Sequence, residues 1–239
     1  MSVLAVARWM ALHTLRRPIA WVGLVACLGI WQLARRLGPL GSGADATELL
    51  YEVAFLASLL GALLALSALG ECEWFLLRLA RPRRLAARAA GLFAGGAGAL
   101  ALALLAPLSV SLLRPEPSPA APDPGTAIDL AWSLNLSMGL FGLLAHLTVV
   151  GTLLLQAPLS TTQRTLALPS LTWILPALIG SEGWWAARLV RLLDPSRHLA
   201  AAAGATGPGA DSLLPVAALT LCAWAMTARP PATAAMRLP

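Results

Sequence analysis

The sequence predicts an all-α, polytopic transmembrane protein of about six spans with both termini cytoplasmic. Three observations lead there. Of the 239 residues, 58% are hydrophobic and only 12% charged, about half the charged share of an ordinary soluble domain. The apolar residues fall in long blocks separated by short charged clusters, the pattern of repeated bilayer crossings. The cationic residues are all arginine and gather at the ends of those blocks, where they anchor helices and set orientation.

A helix needs about 20 apolar residues to cross a hydrocarbon core roughly 30 Å thick, and the uncharged windows define the spans on that scale. They are expected at 18–34, 53–70, 89–113, 130–156, 165–181 and 212–228. Pro158 marks a turn after the fourth, and Pro169 and Pro176 interrupt the fifth. Residues 1–17 precede the first span and 229–239 follow the last as a cytoplasmic tail. Arg16 and Arg17 before an apolar stretch resemble a signal peptide, but Arg35, Arg36 and further apolar blocks follow, so an uncleaved first span is expected.

Orientation follows from the arginines. With the N-terminus inside, eleven lie on the cytoplasmic side against six outside, while nine of the eleven acidic residues fall outside. The segment 71–88 decides the matter, with five arginines in the eleven positions from Arg78 to Arg88. Outside, the proline-rich stretch 114–129 reads as an extended link, 183–193 as a short interfacial helix with Trp184 and Trp185, and 200–210 as irregular.

Two cytoplasmic stretches carry candidate functional residues. The first, Met1 to Arg17, is too short and charged to span. It is read either as an interfacial elbow helix, with Arg8, Trp9, Arg16 and Arg17 at the headgroups, or as a plain extension of the first span. The second runs from Glu71 to Arg88. A helix leaves the membrane at Glu71, shows apolar residues from Trp74 to Leu79, and is broken at Arg81-Pro82 before a basic helix enters the next span.

This second segment resembles the loop between the second and third spans of the permease subunits of type 2 (ABC-2-like) ATP-binding-cassette exporters. There an acidic residue, a short apolar helix, an Arg/Ser-Pro break and a basic helix recur. The resemblance implies a coupling element that docks on a cytoplasmic ATPase, with Glu71, Glu73, Trp74, Leu76, Arg78, Arg81, Pro82 and Arg84 as contacts. Trp74-Phe75 stand where the family has a glycine-threonine pair. The same resemblance implies a second permease chain, identical or similar, and a bacterial cytoplasmic (inner) membrane. ATP and magnesium would belong to the partner ATPase, with no cofactor on this chain. The length also fits the related haem-exporter-like permeases.

In the fourth span, Asn135, Gly139, Gly142 and His146 fall within about 60° of one another at helical periodicity. Such a stripe must face protein or a water-filled path, since lipid satisfies neither Asn nor His. It reads as a path or dimer lining, or as close helix packing. Gly91 and Gly95, extended by Gly98, give the third span a small-residue seam.

Catalytic patterns are missing. The chain has no lysine, hence no phosphate-binding loop of the Walker type, and no Gly-x-Ser-x-Gly elbow or His-Glu-x-x-His helix. Cys27, Cys72 and Cys222 have no metal-type spacing, and no metal is expected. Nucleic acid is excluded as a partner because the arginines flank spans. A transport subunit is thus expected rather than an enzyme. The alternatives are a non-transporting assembly subunit, or a membrane-embedded enzyme using His146 and Asn135.

Overall fold

The computed structural model describes residues 3–18, 43–71, 81–113, 130–179 and 193–203, together with 21, 22, 25, 29, 76, 217, 220 and 221. Among them the chain is helical throughout apart from short turns, with no strand. In chain order the elements are α1 (Val3–Arg16), α2 (Gly43–Glu71), α3 (Arg81–Leu113) and α4 (Leu130–Gln156). They are followed by α5 (Thr161–Pro169), a π-helical turn (Ser170–Ile174), α6 (Leu175–Ile179) and α7 (Ser196–Ala203).

Among the described residues three helices are long and apolar enough to cross a membrane: Glu52–Glu71, Pro82–Leu104 and Leu136–Gln156. They overlap the second, third and fourth expected spans and mark a helical membrane protein. Most of 18–34 and 212–228 lies outside the described residues, as do the link 114–129, the segment 183–192 and the tail 229–239.

Glycine brings the bundle together. A Cβ on Gly61 of α2 would collide with the Gly95 carbonyl oxygen of α3 and stand 2.9 Å from the Gly96 Cα. The two backbones therefore touch, a spacing that only hydrogen at Gly61 permits. Leu69 meets Gly91, Ala65 meets Gly95 and Gly61 meets Ala99, so α2 and α3 run antiparallel. On the other side of α3, Gly96 faces Leu144 while Leu92 faces Gly151, which makes α4 antiparallel to α3 in turn.

α1 packs beside this trio. Its Val6, Met10 and Thr14 are buried, one stripe at i, i+4 and i+8. Met10 lies on Gly91 and Thr14 on Gly95, so α1 and α3 advance in the same sense. The seam expected to include Gly98 does not: no described atom lies within 4 Å of a Cβ placed there. Gly96 and Ala99 continue the α2 contact instead.

The fifth expected span also differs. Its helix begins at Thr161 and not at Thr165, and Pro169 interrupts it as expected, closing α5 where a π-helical turn begins that leads into α6. Each proline removes a backbone donor, and the π turn between them absorbs the mismatch, with the Leu175 N–H reaching back to the Ser170 carbonyl. Start and shape were set by the cap at Ser160, whose side chain accepts from the Gln163 N–H at 3.3 Å while the Gln163 side chain accepts from the Ser160 N–H at 2.9 Å.

Gly61→Val should lower stability by about 1–3 kcal/mol, the cost of overpacking a close contact, whereas Gly98→Val should be close to neutral. Thermal unfolding of the two variants in detergent distinguishes them.

Candidate functional site

Because α2, α3 and α4 alternate in direction, the end of α2, the start of α3 and the turn after α4 share one face of the bundle. A Cβ on Gly70 would stand 2.9 Å from the Thr161 Oγ1, which places the start of α5 on that same face. The proline-bearing turn expected at Pro158 is there, with the Leu159 N–H donating to the Ala157 carbonyl at 2.8 Å.

Polar contacts tie this face together. Arg17, at the end of α1, approaches Glu71, the last residue of α2, at 3.6 Å. Its Nε donates to His13 Nε2 at 3.1 Å, and His13 stacks on Trp9 with ring centroids 5.2 Å apart. Trp9, His13 and Arg17 follow one another at four-residue steps, so they form a ladder along α1. An imidazole that accepts from Arg17 is neutral. Burial lowers the His13 pKa below its ordinary value, Arg17 lowers it further and Glu71 opposes both.

The connection between α2 and α3 folds back onto the bundle at Leu76. That side chain is buried in the same apolar core as Met10, Leu69, Leu92 and Leu168. Its carbonyl accepts from Arg84 Nε at 3.1 Å. Pro82 lies in the first turn of α3, where its missing N–H is no loss. Leu76, Pro82, Arg84 and Glu71 are thus gathered at one place, with Arg81 opening α3. Glu73, Trp74 and Arg78 lie outside the described residues. On α1, Arg8, Trp9 and Arg16 are exposed along with Leu4 and Leu12.

The stripe on α4 points inward. Gly139, Gly142 and His146 are all buried, while the side chain of Asn135 is outside the described set. What they face was not foreseen. α7 lays His198 into the notch at Gly142, where an added Cβ would stand 2.7 Å from the His198 Nδ1. The two imidazoles then meet edge to face, with His146 Nδ1 and His198 Nε2 3.2 Å apart. Both are almost fully buried, His146 at 0% exposure and His198 at 2%.

α7 also corrects the expectation that the chain from 200 onward is irregular: Ala200 to Ala203 are helical. Asp194 Oδ1 accepts from the Ser196 N–H at 2.9 Å and from its hydroxyl at 2.6 Å, which caps the helix, and alanine is the best helix former. The signal Asp194-Pro195-Ser196 was present in the sequence, an acceptor before a proline at a helix start.

Comparison with protein-family models, curated proteins and solved structures finds no match to this chain.

Arg84→Met should cost about 1 kcal/mol by removing the hydrogen bond to the Leu76 carbonyl. A double-mutant cycle on Arg17 and Glu71 should give a coupling below about 1 kcal/mol, since both side chains are partly solvated. Urea titration of the purified protein measures both.

Proposed function

We propose that this chain is the permease subunit of an ATP-binding-cassette export system, moving substrate across a bacterial inner membrane while a separate cytoplasmic subunit hydrolyses ATP. The observation that carries this reading is the seating of the α2–α3 connection. Leu76 is anchored in the bundle core and Arg84 clamps its carbonyl, so force applied at this connection reaches two spans together. A connection of that kind is what a permease needs, because motion generated on another chain must enter through rigid elements continuous with the spans.

The bundle supports the reading in two further ways. α1 is bound along α3 and linked to the end of α2 through Arg17 and Glu71, so the N-terminal helix moves with the same unit. The exposed Trp9, Leu4 and Leu12 together with Arg8 and Arg16 suit the lipid interface of an elbow helix. Two such chains would pair across the membrane, with ATP and magnesium held by the ATPase. Alternating access is then a shift between two packings of the paired bundles.

Two measurements test this. Arg81→Glu combined with Arg84→Glu should abolish co-purification with a cognate ATP-binding-cassette ATPase co-expressed with this chain, while membrane insertion persists; undiminished recovery of the ATPase refutes the coupling role. A cysteine at Leu79 should be shielded from an impermeant thiol reagent added to intact cells, and labelling from outside inverts the orientation.

A further inference from the structure

His146 and His198 take no part in the coupling face, and their arrangement has a chemistry of its own. We infer that these two imidazoles form a proton-binding latch: α7 is held against α4 while the pair is neutral and is released when the pair takes up protons.

Counting ring protons shows why. Two neutral imidazoles carry two protons on four nitrogens, and the 3.2 Å contact between His146 Nδ1 and His198 Nε2 requires one of them between the rings. The other sits on His146 Nε2 or on His198 Nδ1. His146 Nε2 is buried and makes no full hydrogen bond, with the Leu193 backbone as the polar group beside the ring. One added proton, taken from water, converts the pair to imidazole and imidazolium. The bridge survives that step, but a charge now lies within an apolar bundle. A second added proton fills all four nitrogens, two N–H groups face each other, and the bridge is lost.

The surroundings oppose charge more than they welcome it. Arg197 acts on His198 against protonation, and Asp194 acts on it in favour. Described α4 has no other titratable side chain, and on α2, packed against the same helix, Glu52 is exposed while Phe55 and Leu59 belong to the apolar core. For His198, burial is the largest cause lowering its pKa, followed by Arg197. A lowered imidazole stabilises the docked form fully above its unfolded value of about 6.5, and that stability is lost as pH falls through the folded value. A metal is the poorer occupant, since no group of three or more His, Cys, Asp or Glu is gathered among the described residues and a structural zinc takes about four ligands.

Release falls on α7 because it has only eight residues, below the length at which an isolated helix holds itself together. Gly142 is what allows the latch to close, as no other residue leaves room for the His198 ring.

The test uses the full-length protein in lipid nanodiscs, with Cys27, Cys72 and Cys222 replaced by serine and spin labels at Leu166 on α5 and Ser196 on α7. Both positions are exposed, and Cys at 196 keeps the main-chain N–H that binds Asp194. The distance distribution should be single at about pH 8, and a second population should grow several-fold by about pH 5. His198→Gln, which retains hydrogen-bonding groups but does not titrate, should remove the response. An identical distribution at both pH values, or a response that persists in both His146→Gln and His198→Gln, overturns the latch. Ring-nitrogen spectra of the unsubstituted protein give an independent readout. Coupled titration of two histidines below the ordinary range supports the inference, and two independent titrations near about 6.5 overturn it. Stoichiometric zinc or copper that survives purification and leaves with His146→Gln would replace the proton by a metal and overturn it as well.

Discussion

The backbone contact between Gly61 and Gly95 is the constraint on which the rest of the bundle depends. In a bilayer, apolar side chains gain little by leaving lipid for protein, so helices associate through close packing and the dispersion contacts it permits. With hydrogen at Gly61, α2 comes down directly on the Gly95 carbonyl and the Gly96 Cα. That crossing fixes the level of each helix against the next. Leu69 is brought to Gly91, which sets the end of α2 beside the start of α3. The missing side chains of Gly91 and Gly95 leave room for Met10 and Thr14 of α1 as well, and Gly96 leaves room for Leu144 of α4. One close approach on α3 thus serves three neighbours.

The strengths of the contacts at the loop face differ, and the difference says which of them holds it. A partly exposed ion pair such as Arg17 with Glu71 contributes at most about 1 kcal/mol. Burying a leucine side chain contributes about 1.5–3 kcal/mol, and Leu76 is buried in the main core. At Leu76 the attachment to the bundle is therefore chiefly apolar. Arg84 has a different part: its Nε donates to the Leu76 carbonyl and so ties α3 to that residue. The arginine cluster that stands out in the sequence as charge acts here partly through hydrogen-bond geometry.

Much of this was legible from residues alone, and what was missed has physical causes. Hydropathy located the three long helices because lipid demands an apolar run of fixed length, and that demand is local in sequence. The inward direction of Gly139, Gly142 and His146 followed from periodicity. His198 did not, because a lone histidine in an eight-residue helix shows no period, and its meaning depends on a glycine 56 positions away. The start of α5 was readable in Ser160-Thr161-Thr162-Gln163, a capping box, but the span boundary was drawn from charge alone and so fell at Arg164. Gly98 failed for the reverse reason. Its spacing from Gly91 and Gly95 is right, but no described atom packs there, and spacing on one helix carries no information about where its neighbours pass.

The docking of α7 shows how a short element acquires a defined position in such a bundle. Its own hydrogen bonds do not sustain eight residues, so its order comes from Asp194 at one end and from burial of His198 and Leu199 on α4 and its neighbours. Of these, the imidazole contact has a strength that depends on how many protons two facing rings share. A leucine at 146 would pack without leaving an unmet ring nitrogen, whose burial costs about 1–3 kcal/mol. The histidine pair therefore makes the α7 contact weaker than an apolar pair of similar volume would, and places its weakest point at a titratable bond.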